Sequence, residues 1–331
     1  AWTQFTWALN AADTTHSLVE LATLVATGVA FFMAVALPDA FHGWGLWFAL
    51  PYVVVRIIGL VLYIWVASAD PTQRAAVQRF GLVSMGGVAA VLIGGFVGGS
   101  MQYWMWGLAI LLDVIAALVG GESEGWNLHP EHFGERHGLF VIIALGETLI
   151  VAASGMTGAA WTGDLVIIAI LAVTITCALW WSYFPRTKHQ LDHVLEESRG
   201  AEQSALARDV YSLLHFPMLC GIIAYAVAVE EIIAHPHEAL PFEGRAALAS
   251  GLLLFVGGMG IAFWRATKRL LLSRLVLTIA TAVLIIAVAG IAPLMSLVIA
   301  LIGVLIIIAI EERTKNLPVS ALHHSKLPSD G

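Results

Sequence analysis

Ten stretches of apolar sequence, each close to twenty residues long, constrain this chain more than any other feature. They run over 18–37, 47–67, 80–98, 101–120, 138–154, 165–184, 210–229, 246–264, 273–291 and 294–310. A helix needs about 20 mostly apolar residues to cross the hydrocarbon core of a bilayer. Inside that core every backbone N–H and C=O must find a partner within the chain, which leaves helices and closed barrels. Runs such as Val166-Ile167-Ile168-Ala169-Ile170-Leu171 lack the alternation of a barrel strand. Charged residues make up only 12% of the chain, against about 25% in a soluble domain, so too little polar surface remains to face water. The predicted fold class is an all-α integral membrane protein, a polytopic bundle of ten transmembrane helices whose first partner is the lipid bilayer. No basic patch points to nucleic acid. The Trp-rich start, Ala1 to Trp7, reads as the end of a helix.

Lysine and arginine predict the orientation. If the connecting segments alternate sides, 14 basic residues fall on the side of residues 1–17 and of the C-terminal tail. The opposite side holds only Arg245, and Arg56 lies inside a span. The positive-inside rule places the rich side in the cytoplasm.

An internal repeat is also expected. Residues 17–24 align with 212–219, and 45–65 align without a gap with 244–264, each from a Gly to a Trp. Trp2 and Phe5 precede the first member of the repeat; Trp180, Trp181 and Phe184 precede the second. The two spans at 138–184 then lack counterparts. Two more helices ahead of Ala1 would complete twelve, as a 6+6 parallel repeat of the kind found in transporters. The corresponding division is 1–128 for the first half, 129–312 for the second, and 313–331 for a cytoplasmic tail.

Ionisable groups inside spans are costly and point to function. Glu147 lies about 16 Å beyond Arg136 along one helix, near the bilayer midplane, and Arg136, Phe140, Ile143 and Glu147 share a face. Glu147 is expected to face the bundle interior, with Arg56, Asp113, His215 or an ordered water in reach. Arg56 and Asp113 sit mid-span and are expected to pair with each other or with Glu147. His215 stands just before Pro217, which removes a hydrogen bond and frees the carbonyl of Leu213; its repeat mate is Glu20. His129, Glu131, His132, Glu135 and His137 form a His-rich segment without the HExxH spacing of a zinc site. His189 and His193, and His235 and His237, read as solvated pairs. Cys177 and Cys220 lie in apolar runs without metal spacing. Small-residue runs at 94–99 and 257–260 are expected to let helices approach closely. No nucleotide fingerprint, nucleophile elbow or metal or cofactor site is found.

The stretch from Glu135 to Glu147, ERHGLFVIIALGE, resembles a segment of the bacterial low temperature requirement protein A family. Pro38-Asp39-Ala40-Phe41 is similar to that family's VPDAF, and the stretch from Asp209 to Pro217 to its DxYxxLHxP. The resemblance covers essentially the whole chain. It departs at the front, where members usually begin with an ELFFDLVFV helix and one more helix. The family is known by a growth phenotype and by membrane topology, so the resemblance implies architecture and no chemistry.

Three functions compete on this reading. The leading one is a transporter or channel-like protein for a small solute or ion, with proton coupling through buried carboxylate and histidine as a further expectation. The alternatives are a membrane-embedded enzyme acting on a lipid or isoprenoid, and a structural or regulatory membrane protein.

Overall fold

A computed structural model describes residues 1–67, 71–120, 128–157 and 161–315. Its helices are α1 (Trp2–Ala11), α2 (Ser17–Ala36), α3 (Gly45–Val66), α4 (Pro71–Val97), α5 (Gly99–Gly120), α6 (Pro130–Met156), α7 (Gly163–Ser182), α8 (His189–Glu197), α9 (Gly200–Leu206), α10 (His215–Ala234), α11 (Phe242–Leu252), α12 (Gly258–Thr267), α13 (Leu272–Ala287) and α14 (Pro293–Lys315). Three wide π-turns join some of them: Tyr183–Lys188, Ala207–Leu213 and Leu253–Gly257. No strand occurs among the described residues. The tail from 316 onward, Lys326 included, lies outside them.

Nine of the helical runs among the described residues are long and apolar enough to cross a membrane. They coincide with nine of the ten expected segments. The tenth, expected over 273–291, is the shorter helix α13, which stops at Ala287. Its 16 residues rise only about 24 Å. The early stop has a local cause: Val288 turns extended and Gly290 takes a φ of +77°. Pro293 then disfavours helix at Ala292 and opens α14.

Starts elsewhere follow the same chemistry. Pro130 begins α6, and the Thr162 hydroxyl accepts from the Leu165 N–H at the head of α7. The helices overrun the expected spans, so Arg74, Arg79 and Arg136 stand on helices, where connecting segments were expected.

The chain divides into two compact units. The first holds residues 1–137 and 192–213; the second holds 138–191 and 214–331. In the first, α2 packs on α3, α3 on α4 and α4 on α5, with α1 against α3. Gly98 and Gly99, at φ +69° and +58°, make the tight turn between α4 and α5. Among its buried apolar contacts, one group gathers around Leu62, Tyr63 and Val77 and another around Ala49, Ala90 and Ala109.

The second unit has one continuous apolar core that includes Ile168, Ile175, Met218, Ile222 and Phe255. There α10 packs on α11, α13 on α14 and α14 on α7. The α10–α11 crossing is very close. A Cβ on Gly221 would come within 2.7 Å of the Phe255 N and 2.8 Å of the Gly251 O, so only glycine fits.

Candidate functional site

In the first unit, three long helices bring polar side chains together about halfway along their length. Arg56 stands near the middle of α3, Ser84 near the middle of α4, and Asp113 on α5. The Arg56 Nη2 donates to the Ser84 hydroxyl and, at 2.5 Å, to Asp113 Oδ1. The Ser84 hydroxyl is 3.4 Å from the same carboxylate oxygen. The Tyr52 ring lies 6.0 Å from the guanidinium carbon, and α1 contributes Gln4, whose side-chain N–H donates to the Arg56 carbonyl at 3.3 Å. Side-chain exposure is 5% for Arg56 but 31% for Asp113. The cation is therefore sealed in while its counter-ion keeps an accessible side. Of the two pairings expected for Arg56 and Asp113, the structure contains the one that joins them to each other.

The second unit holds a polar network of its own. His215 is the first residue of α10 and is buried; its Nε2 lies 2.8 Å from the Tyr183 hydroxyl. Tyr183 opens the π-turn Tyr183–Lys188, which contains Pro185. Proline has no N–H to give the carbonyl one turn back, and the widened turn absorbs the loss. At the far end of the same turn, Thr187 accepts from Arg274 Nη1 at 3.2 Å. Arg274 is 0% exposed and forks onto Glu311, with Nε–Oε1 and Nη2–Oε2 both 2.7 Å. Arg186 donates to the Glu311 carbonyl at 2.5 Å.

The Arg274–Glu311 pair was missed in the sequence because Arg274 follows Lys268 and Arg269 and reads as one more loop cation. The signal that finds it is spacing. Arg274, Thr278, Ala282 and Ile285 are the buried residues of α13, one stripe at helical intervals.

Glu147 corrects an expectation. It is exposed on α6 and does not face an interior. The buried stripe of that stretch is Val141, Leu145, Thr148 and Ala152. Glu147 precedes Thr148 by about 100° of rotation and so falls outside it. The face shared by Arg136, Phe140, Ile143 and Glu147 is half-buried at best. Among the described residues none of the three expected side chains hydrogen-bonds Glu147. Glu20, on the first turn of α2, is also exposed, while His215 is buried. Arg136 is half-buried, and its Nη1 is buried without a partner among the described residues.

The His-rich segment is built into the first unit. Asn10 accepts from the His129 N–H at 2.8 Å and donates to its carbonyl at 3.0 Å. His137 is buried against the Trp2, Phe133 and Tyr211 rings. His132 lies 3.5 Å from Glu135 with both exposed. No group of three or more His, Cys, Asp or Glu able to hold a metal occurs among the described residues. His193, His235 and His237 form exposed pairs with Glu197, Glu231 and Asp164.

Comparison with known proteins decides the family. The model of the bacterial low temperature requirement A protein family (LtrA) matches residues 1–310. The chain belongs to this family. The chain is similar to the uncharacterized protein RA0937 of Rhizobium meliloti (strain 1021), 25% identical over 266 residues. That match takes in 78% of this chain and 64% of the relative, so the chain spans less than two thirds of the relative's length. No solved structure matches it. LtrA membership and the run of apolar helices make this a polytopic, multi-pass membrane protein.

Proposed function

We propose that this LtrA chain is the core of a transporter or channel-like protein that moves a small solute or ion across the bacterial inner membrane, with proton coupling at Asp113. The supporting observation is the Arg56–Ser84–Asp113 cluster. An ion pair near the middle of three apolar helices is a weak source of stability, because desolvation offsets most of the attraction. Such groups mark solute and proton pathways in membrane proteins. The asymmetry of exposure supports this reading: Arg56 is sealed in, while Asp113 keeps an accessible side. Arg56 argues against a bare metal cation there, since its own charge repels one. His215, hydrogen-bonded to Tyr183 beside a π-turn, is the second titratable group of this reading. The orientation with a cytoplasmic C-terminus and the twelve-helix parallel repeat belong to the same proposal. The stepwise packing of α2 to α5 and of α10, α11, α13 and α14 is compatible with the repeat.

The test is flux. The purified protein in proteoliposomes with an entrapped pH dye is given a pH step. The expected result is dissipation faster than in protein-free liposomes, lost in Asp113→Asn while the protein remains folded. Dissipation at the protein-free rate in the wild type would remove the transport reading.

A further inference from the structure

In the second unit the apolar run Phe242–Thr267 ends at a sharp turn that carries two cations. Lys268 closes α12 in the left-handed conformation, at φ +59°, and its N–H donates to the Trp264 carbonyl at 2.8 Å. The Thr267 hydroxyl accepts from the Arg269 N–H at 3.2 Å and donates to the Phe263 carbonyl at 2.8 Å. The chain then enters α13 at Leu272. Glycine is the usual occupant of such a helix end, because a Cβ there crowds the backbone. Among the described residues Lys268 is the one non-glycine with a positive φ. A lysine held against that backbone preference calls for a use of its side chain.

The surroundings narrow what that use is. Lys268 and Arg269 are both exposed, and among the described residues neither makes an ion pair. Arg274, in the first turn of α13, has its charge answered by Glu311, so the two cations of the turn are not needed there. No carboxylate occurs in the sequence between Glu243 and Glu311. Trp264, Leu270 and Leu272 flank the cations and are exposed as well. Basic side chains at the end of an apolar span, with a tryptophan and leucines beside them, match a lipid at the level where headgroup meets acyl chain. An acidic peptide would answer the charges and leave the three apolar side chains uncovered. Free inorganic phosphate would do the same.

We infer that the α12–α13 turn is a binding site for an anionic phospholipid. Lys268 and Arg269 hold its phosphate headgroup, and Trp264, Leu270 and Leu272 meet its glycerol and the start of its acyl chains. The site stands whether or not the protein moves a solute.

Native mass spectrometry of the purified protein in detergent tests it, by titration with phosphatidylglycerol or with phosphatidylcholine of the same acyl chains. A basic residue beside an anionic headgroup is worth about fivefold in affinity, so the wild type should bind its first phosphatidylglycerol about twentyfold more tightly than its first phosphatidylcholine. Lys268→Gly with Arg269→Gln should remove that preference. Lys268→Gly alone should remove about fivefold of it. This single variant should unfold in micelles no more readily than the wild type, since glycine takes the left-handed turn without strain. Arg79→Gln, which removes an exposed cation of α4 in the first unit, should leave the preference intact. An excess of inorganic phosphate should not displace the lipid.

Equal binding of the two lipids by the wild type overturns the lipid site, and is read without any variant. An undiminished preference in Lys268→Gly with Arg269→Gln overturns it too. A loss in Arg79→Gln as large as in that double variant would show a general attraction to basic residues and no site at this turn. Displacement of the lipid by inorganic phosphate would make the turn a free-anion site instead.

Discussion

In the second unit, the helical run Phe242–Thr267 has 67% of its most apolar window buried; in the first, Ser17–Ala36 has 11% and Gly99–Gly120 has 17%. Both sets of helices are similarly apolar, with mean hydropathy of 2.0, 2.1 and 1.8. The difference is therefore in what the apolar surface meets. In the second unit it meets other helices in one continuous core. In the first, α2 and α5 turn most of theirs outward, while apolar groups and local polar links join the helices. Each unit also contains an arginine–carboxylate pair whose arginine is buried, and these two pairs differ in the same sense. Arg274–Glu311 is sealed, forked and placed at helix ends. Arg56–Asp113 is placed mid-helix with its carboxylate 31% exposed. The surroundings hold the sealed pair closed, whereas the half-open pair leaves its carboxylate within reach of other groups.

The largest expected effect sharpens the contrast between the pairs. Glu311→Ala leaves the fully buried Arg274 without its counter-charge, which costs about 3–5 kcal/mol. The double replacement Arg274→Met with Glu311→Leu should recover most of that loss, because it removes both charges together. Unfolding in detergent micelles measures both. If the single variant unfolds like the wild type, the second unit does not depend on its ion pair and the contrast fails.

Core packing gives the next effect. Ile168 is 0% exposed in the second unit's core and Leu24 is 70% exposed on α2. Ile168→Ala should cost about 2–4 kcal/mol through lost packing. Leu24→Ala should stay within about 0.5 kcal/mol. Equal losses at both sites, measured in the same micelles, would mean that α2 is covered in the folded protein and that its outward face does not set the two units apart.

Asp113→Asn comes third, at about 1–2 kcal/mol, since the amide oxygen can still accept from Arg56 and only the charge is lost. Its functional effect is larger than its structural one. Loss of the pH response with a near-native unfolding transition is the expected pattern. A variant that unfolds as readily as Glu311→Ala would make the two pairs alike and return Arg56–Asp113 to a packing role.

Much of this contrast was out of reach of the sequence, for reasons visible at particular residues. Length and hydropathy locate a helix because the bilayer sets a minimum span, and nine segments follow from that rule. The tenth falls short because a single glycine and a proline end it, and the apolar run continues past both. Spacing told which residues share a face of α6, but not which face packs, so Glu147 was placed inward when the stripe through Val141 and Leu145 is the buried one. Depth alone singled out Arg56 and Asp113, and no pattern in either helix says that they meet. Arg274 was hidden by its basic neighbours, although its helical stripe with Thr278 and Ala282 was present in the letters.

The smallest expected effect lies where the first unit relies on local links. Between α1 and α2, Asp13 Oδ1 accepts from the Thr15 hydroxyl at 2.7 Å and from the Thr15 N–H at 2.9 Å. Those two bonds, the hydroxyl first, hold the Asp13 carboxyl below the ordinary aspartate range, with His16 as the nearby charge that adds to the effect. A carboxyl lowered in the folded state contributes stability that is present above its unfolded pKa of about 3.9 and is lost as pH falls through the folded value. The turn should therefore hold at neutral pH and loosen only in acid below that range. Because Asp13 is fully exposed, the change is confined to the turn and the first residues of α2, whose start is capped by His16. Hydrogen exchange at the Thr15 amide, corrected for its intrinsic pH dependence, reads it. Protection should fall in acid in the wild type and should be low and flat with pH in Asp13→Ala. Protection in the wild type that does not change with pH would show that the turn is held by something other than this carboxylate.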